Sequence, residues 1–352
     1  MDNTSAQIYD KELQNINKYF VTINKLAPLF ILFATALLVH FSYTTGKLLG
    51  VDINSRLDLG FYNLSVSVKS LFMNGIYFAV LLPCVLWVEI AYAGYKDSSL
   101  SKFIKPNHSN IIDILLFIFY VIRFSKVLTL IFTVGFVYFF EKYLPQIYNP
   151  ENNFFNHFIG ADNQLLAVFF YLLVWWFFDY WNHRLLHAKV FWPIHRLHHS
   201  ADNMTVLTAF RTHPTSAILD PFTKIIPMML LGVPADMFVV CVYVNSIYQL
   251  LVHSNIRSDW GWFGKWVVLS PMHHRLHHSV HYNEYRKNLG VIAIWDHLFG
   301  TYMEPPEEEI VLGNKLRRYR ENNILKVFYV DFRDSLVALK ENVQKYFRSI
   351  RT

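Results

Sequence analysis

Residues 164–187 read QLLAVFFYLLVWWFFDYWNHRLLH. The stretch Gln164–Trp181 is apolar apart from its first residue and Asp179, and it passes straight into His183 and His187. As a helix rising ~1.5 Å per residue, it matches a bilayer core of ~30 Å with little to spare. Asp179, His183 and His187 are spaced by four, so a continued helix stacks them on one face. A membrane span thus delivers two imidazoles just clear of the lipid.

Two further clusters follow, His195-Arg-Leu-His198-His199 and His273-His274-Arg-Leu-His277-His278. Thirteen of the sixteen histidines lie between His183 and His297. Neutral imidazole is the commonest nitrogen ligand for iron, zinc or copper. One zinc takes about four ligands, and these clusters offer twice that supply. The surplus points to two metal ions in a nitrogen-rich site. Without a metal, so many gathered imidazoles would repel when protonated and lack partners when neutral. Cys84 and Cys241 each sit in an apolar stretch and read as small buried hydrophobes, which excludes thiolate chemistry. Isolated histidines such as His40, His108 and His157 carry no metal implication.

Composition sets the surroundings. The chain is 53% hydrophobic and only 16% charged, against about 25% charged in soluble domains, so a membrane protein is expected. Working outward from residue 164, spans are expected at Leu26–Tyr43 and Asn74–Tyr95. Arg123 and Lys126 divide Ile111–Phe140 into an interfacial helix, Ile111–Ile122, and a short third span, Val127–Phe140. After the second cluster, Ser216–Leu231 and Asp236–Val252 form an apolar hairpin closed by Gly232-Val233-Pro234. Asp220, Lys224 and two prolines weaken its first arm, which reads as re-entrant. Glu89 lies near the end of its span, where it can reach the interface. The fold class is therefore all-α: an integral membrane helical bundle with a histidine-rich helical cap. Domain boundaries are expected at 1–160 (spans), 161–305 (spans plus histidine cap) and 306–352 (basic amphipathic tail).

Residues 141–163 contain one Lys and three acidic residues, whereas the histidine segments are rich in Arg and Lys. The positive-inside rule places the cap and both termini in the cytosol, in a bacterial inner membrane or the ER. Ten Lys/Arg and four Asp/Glu from Lys315 to the end match the whole chain's net charge of +6. On a membrane protein, that tail suits an anionic lipid surface better than nucleic acid. Leu325, Phe328, Phe332, Leu336, Leu339, Val343 and Phe347 recur at helical spacing. Such a helix packs on the cap or lies on the bilayer.

The set HxxxH at His183–His187, HxxHH at His195–His199 and HxxHH at His274–His278 resembles the fatty acid hydroxylase/sterol desaturase superfamily. So does the ending Asn288-Leu289-Gly290 with Trp295-Asp296-His297-Leu298-Phe299-Gly300-Thr301. The resemblance covers roughly Leu165–Tyr302. It implies a non-haem centre of two iron ions, with O₂ as co-substrate, that hydroxylates or desaturates an unactivated C–H of a lipid. Carried over by position, the ligands would be His183, His187, His195, His198, His199, His253, His274, His277 and His278. Gln249 stands where some relatives have a further histidine.

His213 is a candidate for the metal or for a polar group of the substrate, and His273 for a supporting role beside His274. Asp179 and Asp296 are candidates to accept a ligand's second N–H; ordinary ion pairs with Arg184 or Arg275 are the alternative. His281 reads as surface, and His297 is a weaker candidate. With no motif for an electron carrier, a separate donor of cytochrome b5, ferredoxin or flavin-reductase type is expected, with lipid as substrate and membrane as setting. A metal transporter would carry polar ligands inside its spans. A zinc hydrolase would add an activating carboxylate such as HExxH. Neither pattern is present.

Overall fold

The computed structural model describes residues 54–58, 63–143, 164–281, 283–314, 319 and 323–351. The expected first span at Leu26–Tyr43 lies outside them. The chain divides into two compact units, residues 1–104 and 105–352. Among the described residues the fold is all-α apart from one short antiparallel hairpin in the first unit, β1 (Asn54–Asp58) with β2 (Asn63–Ser67).

In the first unit, α1 (Val68–Ala93) follows the hairpin. Its portion Gly75–Ala93 is long and apolar enough to cross a membrane, in line with the expected second span. Glu89 is enclosed by protein near the end of α1. It is buried and accepts the backbone N–H of Ser99 at 2.7 Å and the Ser99 hydroxyl at 2.8 Å, at the start of α2 (Ser99–Ile104). Bonds to the first-turn donors of a short helix satisfy an otherwise costly buried carboxylate.

The second unit opens with α3 (His108–Val121), α4 (Phe124–Phe132) and α5 (Phe136–Tyr143). Asn107 starts α3 with a reciprocal capping box to Asn110. The expected third span is corrected here: Val127–Phe140 is not one helix. Arg123 adopts a left-handed φ of 61°, and α3 and α4 meet at 91°. Val134 and Gly135 are also left-handed, with φ of 51° and 74°, and they end α4 before α5 begins. The helices of 108–143 lie in the same unit as the histidines.

The stretch around residue 164 forms α6 (Gln164–Leu186), which runs through Trp181 to carry His183. Leu165–Leu186 is the second helix long and apolar enough to span. Short α7 (Trp192–His195) and two 3₁₀ turns, at His198–Ser200 and Val206–Phe210, hold the second histidine cluster. The expected re-entrant arm is broken. It runs as a 3₁₀ turn at Pro214–Leu219, a π turn at Pro221–Ile225 and one short helix, α8 (Ile226–Leu230). Pro214, Pro221 and Pro227 each open one of these segments, where a missing N–H costs least. The returning arm is continuous α9 (Ala235–Val252). Tyr171, Leu172, Trp175, Met228, Val233 and Cys241 bury together between α6, α8 and α9.

Then follow α10 (Gly261–Trp266), α11 (Pro271–His277), α12 (Ala293–Leu298) and the long α13 (Ile324–Arg351). The first turns of α13 pack on the second unit, with Phe328 the buried member of the expected stripe. Ile324, Val327, Phe328, Asp331, Ser335 and Ala338 are buried, whereas Leu325, Leu336, Leu339, Val343 and Phe347 are exposed. Polar contacts rotate the helix to this face. Arg196 bonds Asp331 at 2.9 Å and Asp334 at 2.5 Å, and the Ser335 hydroxyl donates to the Val190 carbonyl at 2.5 Å.

Beneath the second cluster lies a pair that sequence patterning did not reveal, Arg211 with Asp113 of α3. Both side chains are fully buried, and Arg211 Nε donates to Asp113 Oδ1 at 2.8 Å. Thr205 and Thr208 donate to the same carboxylate. The guanidinium also reaches Ser109 and the Ser200 hydroxyl, one residue beyond His199. A buried ion pair is tolerable when its remaining hydrogen-bonding capacity is met, and here it ties the histidine segment to α3.

Candidate metal centre

The nine histidines named by the resemblance converge into two adjoining groups. His183, His187, His195, His199 and His277 form one, and His198, His253, His274 and His278 the other; within each, the potential donor atoms all lie within 4.8 Å of one another. Helical spacing explains the sharing. His195 and His199 turn one way while His198 turns the other, and His277 and His278 divide likewise. The groups share a wall, with the rings of His199 and His278 stacked at 4.5 Å.

The donor atoms are presented bare. In the first group, the Nε2 atoms of all five rings are buried and lack a hydrogen-bond partner among the described residues. In the second, His253 Nε2 faces His198 Nε2 at 3.2 Å and His274 Nε2 at 2.9 Å, and His278 Nε2 faces His274 Nε2 at 3.2 Å. One proton can join only one such pair, whereas a cation at their focus satisfies every lone pair. Buried unpaired nitrogens are expensive, so this set fits metal ions.

Electrostatics point the same way. Burial, with neighbouring imidazoles as the next cause, holds His187, His198, His199, His274 and His278 well below the usual histidine range. His195 and His277 are lowered in the same manner, and burial brings His253 down to about 4. All are neutral at pH 7, the form in which imidazole binds a metal.

Peptide carbonyls orient three of the rings. The Nδ1 atoms of His183, His253 and His277 lie 2.8, 2.7 and 2.8 Å from the carbonyls of Leu289, Gln249 and Lys287. Each carbonyl can only accept, so Nδ1 carries the proton and Nε2 is left as the donor. The segment 287–290 supplies two of these carbonyls and is clasped from both sides. Asn288, with a left-handed φ of 53°, bonds the His273 and Met303 carbonyls and the Met303 N–H. Asp296 accepts the N–H groups of Leu289 and Gly290, each at 2.8 Å, and the Thr301 hydroxyl at 2.7 Å. A Cβ on Gly290 would lie 2.8 Å from the Asp296 carboxylate, so close approach requires glycine there.

The two carboxylates expected to accept a ligand's N–H do not do so. Asp296 acts through the backbone just described. Asp179 pairs with Lys224 at 3.2 Å, because the π turn brings that lysine beside α6. Gln249 contributes its backbone carbonyl to His253, while its side chain lines the neighbouring cavity.

His213 lies in neither group. Its Nε2 donates to the Phe328 carbonyl at 2.9 Å and its Nδ1 accepts the Thr215 N–H at 3.1 Å, which ties α13 to the turn at Pro214–Leu219. His273 bonds Ser270 and the Tyr302 hydroxyl, and Tyr302 donates to Glu304. His297 stacks between Trp266 and Tyr302, and His281 is exposed. A cavity of about 390 Å³ abuts both groups, reaching His183 and His195 of one and His198 and His274 of the other.

Comparison with known proteins agrees with this geometry. Residues 168–301 match the fatty acid hydroxylase family model, and within this segment the chain is similar to that superfamily. Among curated relatives, an alkylglycerol monooxygenase of Xenopus tropicalis is 33% identical over 151 residues, 40% of this chain and 32% of the relative. An ornithine lipid hydroxylase of Rhizobium tropici is 34% identical over 129 residues, 36% of this chain and 39% of the relative. A sphingolipid C4-hydroxylase of Schizosaccharomyces pombe is 26% identical over 156 residues, 42% of this chain and 53% of the relative. The chain thus spans about a third of the alkylglycerol monooxygenases it resembles. No solved structure matches.

Proposed function

We propose that the chain is a membrane-bound lipid hydroxylase whose two histidine groups hold a pair of iron ions. The observation that carries this reading is the array of bare, neutral imidazole nitrogens opening onto one cavity. His183, His187, His195, His199 and His277 would hold one ion, and His198, His253, His274 and His278 the other. The iron pair supplies the activation of O₂ needed to oxidise an unactivated C–H. Relatives named as alkylglycerol, ornithine lipid and sphingolipid hydroxylases support a lipid substrate and hydroxylation as the outcome.

The chain's own residues do the rest. The carbonyls of Leu289, Gln249 and Lys287 fix the rings. Leu116, Phe119, Leu128 and Phe210 give the cavity an apolar wall for a lipid chain and help to exclude water. Electrons come from a separate donor of cytochrome b5, ferredoxin or flavin-reductase type. The cap faces the cytosol, where the basic C-terminal tail meets anionic lipid.

The test is direct. Purified protein should contain about two irons per chain and take up O₂ when given reductant and membrane lipid. Mass spectrometry should show a product heavier by one oxygen. Iron-reconstituted protein that leaves every lipid unchanged would refute the proposal.

A further inference from the structure

The histidine groups have two sides. The cavity lies against His183, His195, His198 and His274, and among the described residues its lining includes neither His187 nor His199. Those two rings meet Trp192, with ring centroids 5.2 Å apart in each case. Tyr285 stacks on Trp192 at 4.5 Å with the planes 12° apart, and it lies 5.8 Å from His187 and 6.0 Å from His199. Trp192 opens α7, the helix that carries His195. Tyr285 sits in the turn after α11, where its N–H bonds the His281 carbonyl at 3.2 Å. Both rings are half-buried, and Asn283 and Arg286 beside Tyr285 are exposed. Stacked rings thus run from two of the nine histidines toward the surface, on the side away from the cavity.

The kind of ring selects the role. Packing alone would be met by Phe, which stacks as well. Indole and phenol add one property: each gives up a single electron to a strong oxidant, and neither accepts one from a biological reductant. Such a stack therefore carries oxidising equivalents outward rather than electrons inward. An outlet of this kind has a use here. If O₂ is activated with no C–H in the cavity, oxidising power is left among buried imidazoles, and the protein must keep it from side reactions.

We propose that Trp192 and Tyr285 form a one-electron outlet that discharges the metal centre when no lipid occupies the cavity. One electron leaves the Trp192 indole for the centre, which is reduced by one. One electron then passes from Tyr285 to refill Trp192, and the Tyr285 O–H proton goes to solvent. A thiol in solution returns a hydrogen atom to the Tyr285 oxygen, and two thiyl radicals so formed join as a disulfide. This rests on the iron-hydroxylase reading and adds to it a protective function for two residues outside the ligand set.

The test is freeze-quench electron paramagnetic resonance on the full-length, iron-loaded protein, reduced and then mixed with O₂ in the absence of lipid. An aromatic radical should form, and its hyperfine pattern should change in protein carrying ring-deuterated tyrosine. Tyr285→Phe should replace it with an indole pattern, and Trp192→Phe should abolish it. Iron content and melting temperature should hold in both variants, since each keeps an aromatic ring in place. After repeated lipid-free cycles, peptide mass spectrometry should find oxygen added at His187 and His199 in Trp192→Phe and not in wild type.

No radical, or a signal unchanged in both variants, would overturn the outlet. So would a radical on Tyr248, which borders the cavity. The outlet and the activity fail separately. A radical at Tyr285 with every lipid left unchanged upholds the outlet and sinks the hydroxylase reading; hydroxylated lipid with no radical at Trp192 or Tyr285 does the reverse.

Discussion

Asp296 governs His183 without touching it. Its carboxylate accepts the Leu289 N–H at 2.8 Å, and the Leu289 carbonyl in turn lies 2.8 Å from His183 Nδ1. One peptide unit thus relays the position of a buried carboxylate to a histidine ring. Asp296→Ala should release Leu289 and Gly290 together and weaken iron retention by about 10–100-fold, the usual cost of losing an outer support to a ligand. A chelator-competition titration measures this. Unchanged iron affinity would show that the clasp does not position the ring.

The two groups should behave as one centre. His198→Ala and His277→Ala, taken from different groups, should each lower iron to about one per chain or less and abolish product formation. His281→Ala, at an exposed position, should do neither. Iron measured by elemental analysis on the three variants decides the matter. Full iron in either ligand variant would remove that residue from the set.

The buried pair under the second cluster predicts a stability effect. Arg211→Ala leaves the Asp113 carboxylate enclosed with its main partner gone, which costs about 3–5 kcal/mol. The thermal midpoint in detergent should fall sharply, while Asp113→Asn with Arg211→Met should recover part of the loss. A single variant no less stable than wild type would show that the threonines alone hold this junction.

His213 gives a prediction for acid. Burial, the larger cause, lowers it from the usual 6.5 to about 4, against a smaller upward pull from the Phe328 carbonyl. The unfolded chain therefore binds a proton here before the folded chain does. The stability at stake is fully present above pH 6.5 and is lost as pH falls from there toward 4, at up to ~1.4 kcal/mol per pH unit. His213→Gln keeps a donor toward Phe328 and cannot titrate, so it should flatten that limb relative to wild type. Identical acid limbs for the two proteins would disprove the assignment.

The histidine set was legible in sequence because metal ligation needs particular residue types at helical spacing, and both survive without knowledge of packing. The same holds for α6, whose apolar length and cluster lie in one unbroken stretch. Val127–Phe140 misled because hydropathy does not register the left-handed turns at Val134 and Gly135 that divide it. Beyond Phe328, the buried face of α13 was not legible because Asp331 and Ser335 dock through hydrogen bonds, which an apolar stripe cannot reveal. Asp113 and Arg211 lie 98 residues apart, with no local pattern to link them. Asp179 was read toward the histidines because the π turn that swings Lys224 beside it has no sequence marker beyond Pro221.

The carbonyls behind His183, His253 and His277 belong to the main chain, and every residue type offers the same one. Side-chain scanning at Leu289, Gln249 and Lys287 would therefore pass over these contacts in silence. The donor strength of three rings is written into chain geometry, where an inserted or deleted residue would change it and a substitution at those three sites would not.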